Sequence, residues 1–102
     1  AEMGRRVAET LVSPSILDYL ELGEGFGVAE VDAPKTFWEK SLADLALRTE
    51  YGVTILAIRR ASKGERPVIV VNPSGAEVIR EGDILVVIGE NVNLGKLSAA
   101  GE

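Results

Sequence analysis

Three apolar, β-branched runs crowd into the second half of this chain, and the links between them carry no helical pattern. The runs are Val53-Thr54-Ile55-Leu56-Ala57-Ile58, Pro67-Val68-Ile69-Val70-Val71 and Ile84-Leu85-Val86-Val87-Ile88-Gly89. Parallel strands need a crossover of a dozen or more residues, usually a helix, whereas antiparallel neighbours need only a short turn. The polar, basic stretch Arg59–Arg66 reads as a hairpin loop. Asn72-Pro73-Ser74-Gly75 is a cluster of turn formers, and Glu81-Gly82-Asp83 turns tightly into the third run. The near-continuous apolar character of Val53–Ile58 predicts a central strand buried on both faces. A small α+β sheet with short helices packed on it is therefore favoured over a doubly wound parallel sheet.

The first half supplies two more strands and the helices. Val7, Ala8 and Leu11 recur at helical spacing, so Met3–Val12 reads as a helix that Ser13-Pro14 ends. Ile16–Leu22 reads as a strand with Ile16, Asp18, Leu20 and Leu22 on one side and Leu17, Tyr19 and Glu21 on the other. Gly23–Gly27 is a turn into a second strand, Val28–Asp32, which Ala33-Pro34 closes. Ser41 can cap a helix starting at Ser41 or Leu42, with Asp44 three residues on as a weak capping box. Leu42, Leu45, Ala46 and Thr49 share one stripe of that helix, Leu47 lies off it, and Gly52 stops it. Asn91 can cap a closing helix carrying Val92, Leu94 and Leu97.

Missing residue types narrow the function. The 102 residues include no cysteine and no histidine, which removes disulfides, thiolate and imidazole metal ligands, cysteine nucleophiles and histidine bases. No carboxylate constellation stands out in their place, so the chain is read as a non-enzyme. A formal net charge of −5 argues against binding nucleic-acid polymers, which rests on Lys and Arg neutralising phosphates. No apolar run approaches the roughly 18 residues needed to span a bilayer. The chain opens Ala1-Glu2-Met3, without an initiating Met or a signal-peptide pattern, and reads as a fragment excised from a longer protein.

Four features invite a chemical reading. Gly23-x-Gly25-x-Gly27 has the wrong spacing for a dinucleotide fingerprint and precedes a strand, so it reads as a turn. Glu30 and Asp32 share a strand face but lack a third ligand, and a solvated face is preferred to a metal or acid–base pair. Arg59, Arg60, Lys63 and Arg66 form the one dense basic cluster; a solvated hairpin tip is preferred to a phosphate site. Leu47, off the helix stripe and followed by Arg48 with Val53-Thr54 close behind, has two readings. It either reaches the core past a short helix or exposes an apolar patch beside a fixed positive charge, which suits a planar base with a phosphate or a two-fold interface.

The stretch from Val28 to Gly89 resembles the TrkA-C, or RCK C-terminal, regulatory domain of K⁺ channel and transporter subunits. The pieces that carry the resemblance are Val28-Ala29-Glu30-Val31 with Pro34, Lys40-Ser41-Leu42-x-x-Leu45-x-Leu47-Arg48, Tyr51-Gly52-Val53-x-Ile55-x-Ala57-Ile58-Arg59-Arg60, Asn72-Pro73, and Gly82-Asp83-Ile84-Leu85-Val86-Val87-Ile88-Gly89. Glu39 stands where the family usually has glycine, and the Arg60–Pro67 hairpin looks longer than typical. Val12–Leu22 looks like the hinge from a preceding N-terminal lobe, most similar to gating subunits of the bacterial Ktr type. Residues 1–22 are thus assigned to the hinge helix and strand, and 23–102 to the regulatory domain.

The resemblance implies a cytoplasmic, two-fold homodimer that binds cyclic di-AMP at its interface and gates cation flux through a membrane K⁺ channel or transporter subunit. It implies no cofactor and no direct membrane insertion, and the dinucleotide-binding lobe of the family does not carry over. The apolar contacts fall on Leu42, Leu47, Val53 and Pro73, with Asn72 beside them. Arg48 would take phosphate, and Thr54 would offer its hydroxyl or amide. The competing expectation is a dimerisation module of a gating ring with no small ligand.

Overall fold

The computed structural model describes residues 15–62 and 64–101. The helix expected over Met3–Val12 lies outside the described residues. Five antiparallel strands form one sheet: β1 (Ile16–Gly23), β2 (Phe26–Asp32), β3 (Thr54–Ser62), β4 (Glu65–Val71) and β5 (Ile84–Glu90), in the spatial order β1-β2-β5-β3-β4. Two hairpins, β1–β2 and β3–β4, are thus joined through β5, the last strand in sequence and the middle one in space. Pro67 sits in the outermost strand, the place in a sheet where proline is tolerated.

Alternation along the strands sends one set of side chains to a single core. Ala29 and Val31 of β2, Ile58 of β3, and Leu85 and Val87 of β5 are buried on one face. They are covered by Phe37 from a 3₁₀ turn (Lys35–Phe37), by Leu47, by Ile79, and by Leu94 and Leu97 of the closing helix. Short helices α1 (Leu42–Leu45), α2 (Leu47–Glu50) and α3 (Asn91–Ser98), with a last 3₁₀ turn (Ala99–Gly101), complete the order of elements. The opposite face carries Leu20, Val28, Val86, Ile69 and Val71, and Val71 is 73% exposed. The α+β class holds, but β3 is buried on one face only: Thr54 and Leu56 are exposed.

Several local expectations are corrected by long-range contacts. A register shift between Ile16 and Asp18 inserts Leu17 as an extra residue in β1. Ile16 and Tyr19 therefore share the core face, and Asp18 and Leu20 turn away from it, opposite to uninterrupted alternation. Arg59 and Arg60 belong to β3, not to a hairpin loop, because each finds a partner across the sheet. Arg59 bonds Glu30 Oε1 at 2.7 Å on the bare face, and Arg60 forks onto Asp83. Glu30, Arg59 and Arg60 are thus engaged in structural ion pairs, and Glu30 with Asp32 gathers no third ligand among the described residues. Asn91 does not cap α3. Glu90 occupies that position without a side-chain bond, and Asn91 Oδ1 accepts from Tyr19 Oη at 2.6 Å instead.

Candidate functional site

The single helix expected after Ser41 is two. Ser41 does cap it, its Oγ accepting the Asp44 N–H at 3.1 Å. Five residues later Ala46 swings into the left-handed region at φ 48°, ψ 52°, ending α1 and starting α2 in a new direction. The stripe drawn through Leu42, Leu45, Ala46 and Thr49 assumes one axis, so it misplaces Leu47. With the axis broken, Leu47 points into the core at 5% exposure while its flank still faces a groove. Of its two readings, the first, reaching the core past a short helix, describes Leu47, which is not itself an exposed apolar patch.

That groove holds about 390 Å³. Leu42, Leu47, Arg48, Val53, Thr54, Asn72 and Pro73 all line it, although they come from α1, α2, the link to β3, β3 itself and the loop after β4. Leu47 and Val53 are buried and make its apolar floor; Arg48, Thr54 and Asn72 are exposed at its rim. Gly52 positions the floor: its φ of +70° turns the chain from α2 into β3, and the Val53 N–H returns to Leu47 O. Asn72 also sits at positive φ, 51°, with its N–H on Leu56 O at 2.8 Å, which sets the wall containing Pro73.

The electrostatics are simple. Among the described residues Arg48 makes no hydrogen bond or ion pair, whereas Arg59, Arg60 and Arg80 are all engaged with carboxylates. The groove therefore offers one uncommitted guanidinium fork above an apolar floor, with a hydroxyl at Thr54. Such a set can stack a flat heterocycle and take an anionic oxygen, and lacks the paired acid and base that proton-transfer chemistry requires.

Ala43, Ala46, Thr49, Ile55 and Gly75 also line the groove and were not singled out from sequence. Ala43 and Gly75 are small residues where the two sides of the groove come close. A Cβ on Gly75 would come within 3.2 Å of the Ala43 Cβ. The one legible signal was the turn-forming run Asn72–Gly75, which marked the loop without marking its neighbour across the groove.

Comparison with known proteins matches residues 28–100 to the TrkA-C domain. The chain belongs to the TrkA-C family. Ktr system potassium uptake protein C of Bacillus subtilis (strain 168) is 37% identical over 95 residues, covering 93% of this chain and 41% of that protein. Ktr system potassium uptake protein A of the same organism is 31% identical over 100 residues, covering 98% of this chain and 43% of that one. The chain thus spans about two fifths of the length of these relatives. Among solved structures, the RCK C domain of the potassium transport protein KtrA, in complex with cyclic diadenosine monophosphate, superposes with a TM-score of 0.60. It is 30% identical over 70% of this chain and 78% of that one. The GsuK channel gives a TM-score of 0.61 at 26% identity over 76% of this chain and 14% of that one. The TrkA-C resemblance read from the sequence is therefore correct, as is the small α+β sheet with short helices packed on it. Among the described residues no helix is long and apolar enough to cross a membrane.

Proposed function

We propose that this chain is the regulatory domain of a K⁺ transport or channel protein, and that it binds cyclic di-AMP in the Leu47–Arg48 groove at a two-fold dimer interface. The observation that carries the reading is the free Arg48 guanidinium above the apolar floor of Leu47 and Val53. An adenine ring gains by stacking on apolar surface, and a phosphodiester gains a charge-assisted bond to a fork that no carboxylate occupies. The similar KtrA domain, solved with cyclic diadenosine monophosphate, supports this ligand class. A two-fold ligand calls for two grooves that face each other, so a homodimer forms part of the proposal.

In this reading the domain performs no bond-making chemistry and acts from the cytoplasm on a membrane K⁺-transport subunit. Residues 1–22 serve as the hinge from the preceding lobe and 23–102 as the sensing domain. Isothermal titration with cyclic di-AMP, beside cyclic di-GMP and AMP, tests it. Saturable binding of the first at one ligand per two chains is expected. Arg48→Ala should weaken it about tenfold or more, since a hydrogen bond to a charged group contributes roughly 1.5–3 kcal/mol. A flat titration for all three ligands would sink the ligand.

A second reading keeps the dimer and drops the ligand. It is favoured by the bare sheet face around Leu20, Ile69 and Val71, an apolar surface available for subunit packing. A stable dimer in sedimentation whose melting is indifferent to every cyclic dinucleotide would select it.

A further inference from the structure

Asn72, Pro73 and Gly75 form one wall of the groove, and the segment they open, residues 72–83, contains no helix and no strand. Four backbone bonds lace this segment to residues 39–43. Ala43 N–H donates to Gly75 O, Leu42 N–H to Glu77 O, Glu39 N–H to Ile79 O, and Ile79 N–H to Lys40 O, at 2.6–3.0 Å. The Pro73 side of the groove and the α1 side are therefore held at a fixed separation by this lacing. Something must in turn fix the lacing on the sheet. Ile79 is fully buried and sets its depth, but an apolar side chain has no directional bond to set its register.

Arg60 supplies those bonds. Its Nε and Nη2 fork onto Asp83 Oδ1 and Oδ2 at 3.0 and 2.8 Å, Nη1 reaches Glu77 Oε2 at 3.2 Å, and Nη2 reaches Val78 O at 3.0 Å. Asp83 is 1% exposed, and its Oδ2 also accepts the Arg80 N–H at 2.8 Å, closing the turn that precedes β5. Among the described residues, every hydrogen bond from a β3 side chain to 77–83 comes from Arg60. A forked guanidinium fixes orientation as well as distance.

We infer that Arg60 is the positioning residue of the groove, holding the 77–83 segment so that the Asn72–Pro73 wall stands at ligand-binding distance from α1. Arg60 itself does not line the groove. The inference rests on the ligand reading for its affinity arm alone, because the mechanical arm needs no ligand. Arg59, its neighbour in sequence, points to the opposite sheet face and pairs with Glu30, so it provides a matched control.

The test is amide hydrogen exchange on the full chain, with and without Arg60→Gln, Arg60→Lys and Arg59→Gln. Arg60→Gln should speed exchange at Leu42, Ala43 and Ile79 by tenfold or more and leave Leu85 and Val87 in β5 unchanged. Arg60→Lys, which keeps the charge and loses the fork, should restore part of the protection. Arg59→Gln should change none of these amides. Titrated with cyclic di-AMP, Arg60→Gln should bind several-fold more weakly while Arg59→Gln binds as the parent does. Unchanged lacing amides, or lacing and β5 amides accelerating together, would overturn the inference, the second because it shows only global loss of stability. If Arg60→Gln fails to fold, Glu77→Ala removes the Nη1 contact to the segment and leaves the Asp83 fork. Faster exchange confined to Leu42, Ala43 and Ile79 is then required. If the parent binds no cyclic di-AMP, the ligand proposal fails and the exchange result still decides the role of Arg60.

Discussion

Gly27 is buried in β2 not by a neighbour of its own strand but by Tyr19 of β1, whose ring lies over it. An ideal Cβ built on Gly27 would overlap the Tyr19 ring and hydroxyl. Its φ lies outside the left-handed region, so alanine meets no backbone strain there. Gly27→Ala must then displace the Tyr19 side chain. The loss includes the Tyr19–Asn91 hydrogen bond, about 1 kcal/mol. It also includes part of the half-buried ring, roughly 1 kcal/mol by the usual value for apolar area. Against this, alanine in a strand gains about 0.5–1 kcal/mol over glycine in chain entropy. The net expectation is a loss of about 1 to 1.5 kcal/mol, or a melting temperature lower by roughly 4–12 °C for a domain near 100 residues. With Tyr19→Ala already in place the obstacle is gone, and the same Gly27→Ala change should stabilise by about 0.5–1 kcal/mol. Urea unfolding of the parent, both single variants and the double variant measures the cycle. The prediction is a reversal of sign. If Gly27→Ala has the same effect in both backgrounds, the ring does not cover Gly27 as described.

Three further outcomes follow from the same structure. Burial is the largest influence on the Tyr19 phenol and raises it above its ordinary value of 10.0, with the Asn91 hydrogen bond opposing and Glu21 adding. A folded value above the unfolded one means this contribution is fully present below about pH 10 and lost as pH rises through the folded value. Alkaline melting should therefore show an extra loss that Tyr19→Phe removes. Ser41→Ala deprives α1 of its cap and should cost about 1 kcal/mol in thermal unfolding. Gly52→Ala forces a side chain to φ +70° and brings its Cβ to 2.7 Å from Asn93 Nδ2. It should cost about 1–2 kcal/mol and, by moving Val53, alter the groove floor; a melting curve matching the parent would contradict this.

Strand identity was legible because it depends on local pattern. Each of the five apolar runs became a strand, with ends moved by a few residues. What stayed hidden depends on partners distant in sequence. The extra residue at Leu17 reverses the faces of β1, and nothing in Ile16–Leu22 itself announces it. Arg59 and Arg60 look like loop residues until Glu30, Glu77 and Asp83 are placed beside them. The groove residues were named through family resemblance, and their convergence needs the left-handed turn at Ala46, a residue type with no special tendency to adopt one. Composition removed histidine and cysteine chemistry but had no bearing on which arginine stands at the groove.

The position of β5 has a consequence for how the chain acquires its shape. Each hairpin closes from local sequence, but a two-stranded ribbon alone is marginal in water. The bond pattern that unites them waits for residues 84–90. The two hairpins therefore have no common sheet until β5 stands between them. Truncation before Ile84 should leave two marginal ribbons where the longer chain has one sheet.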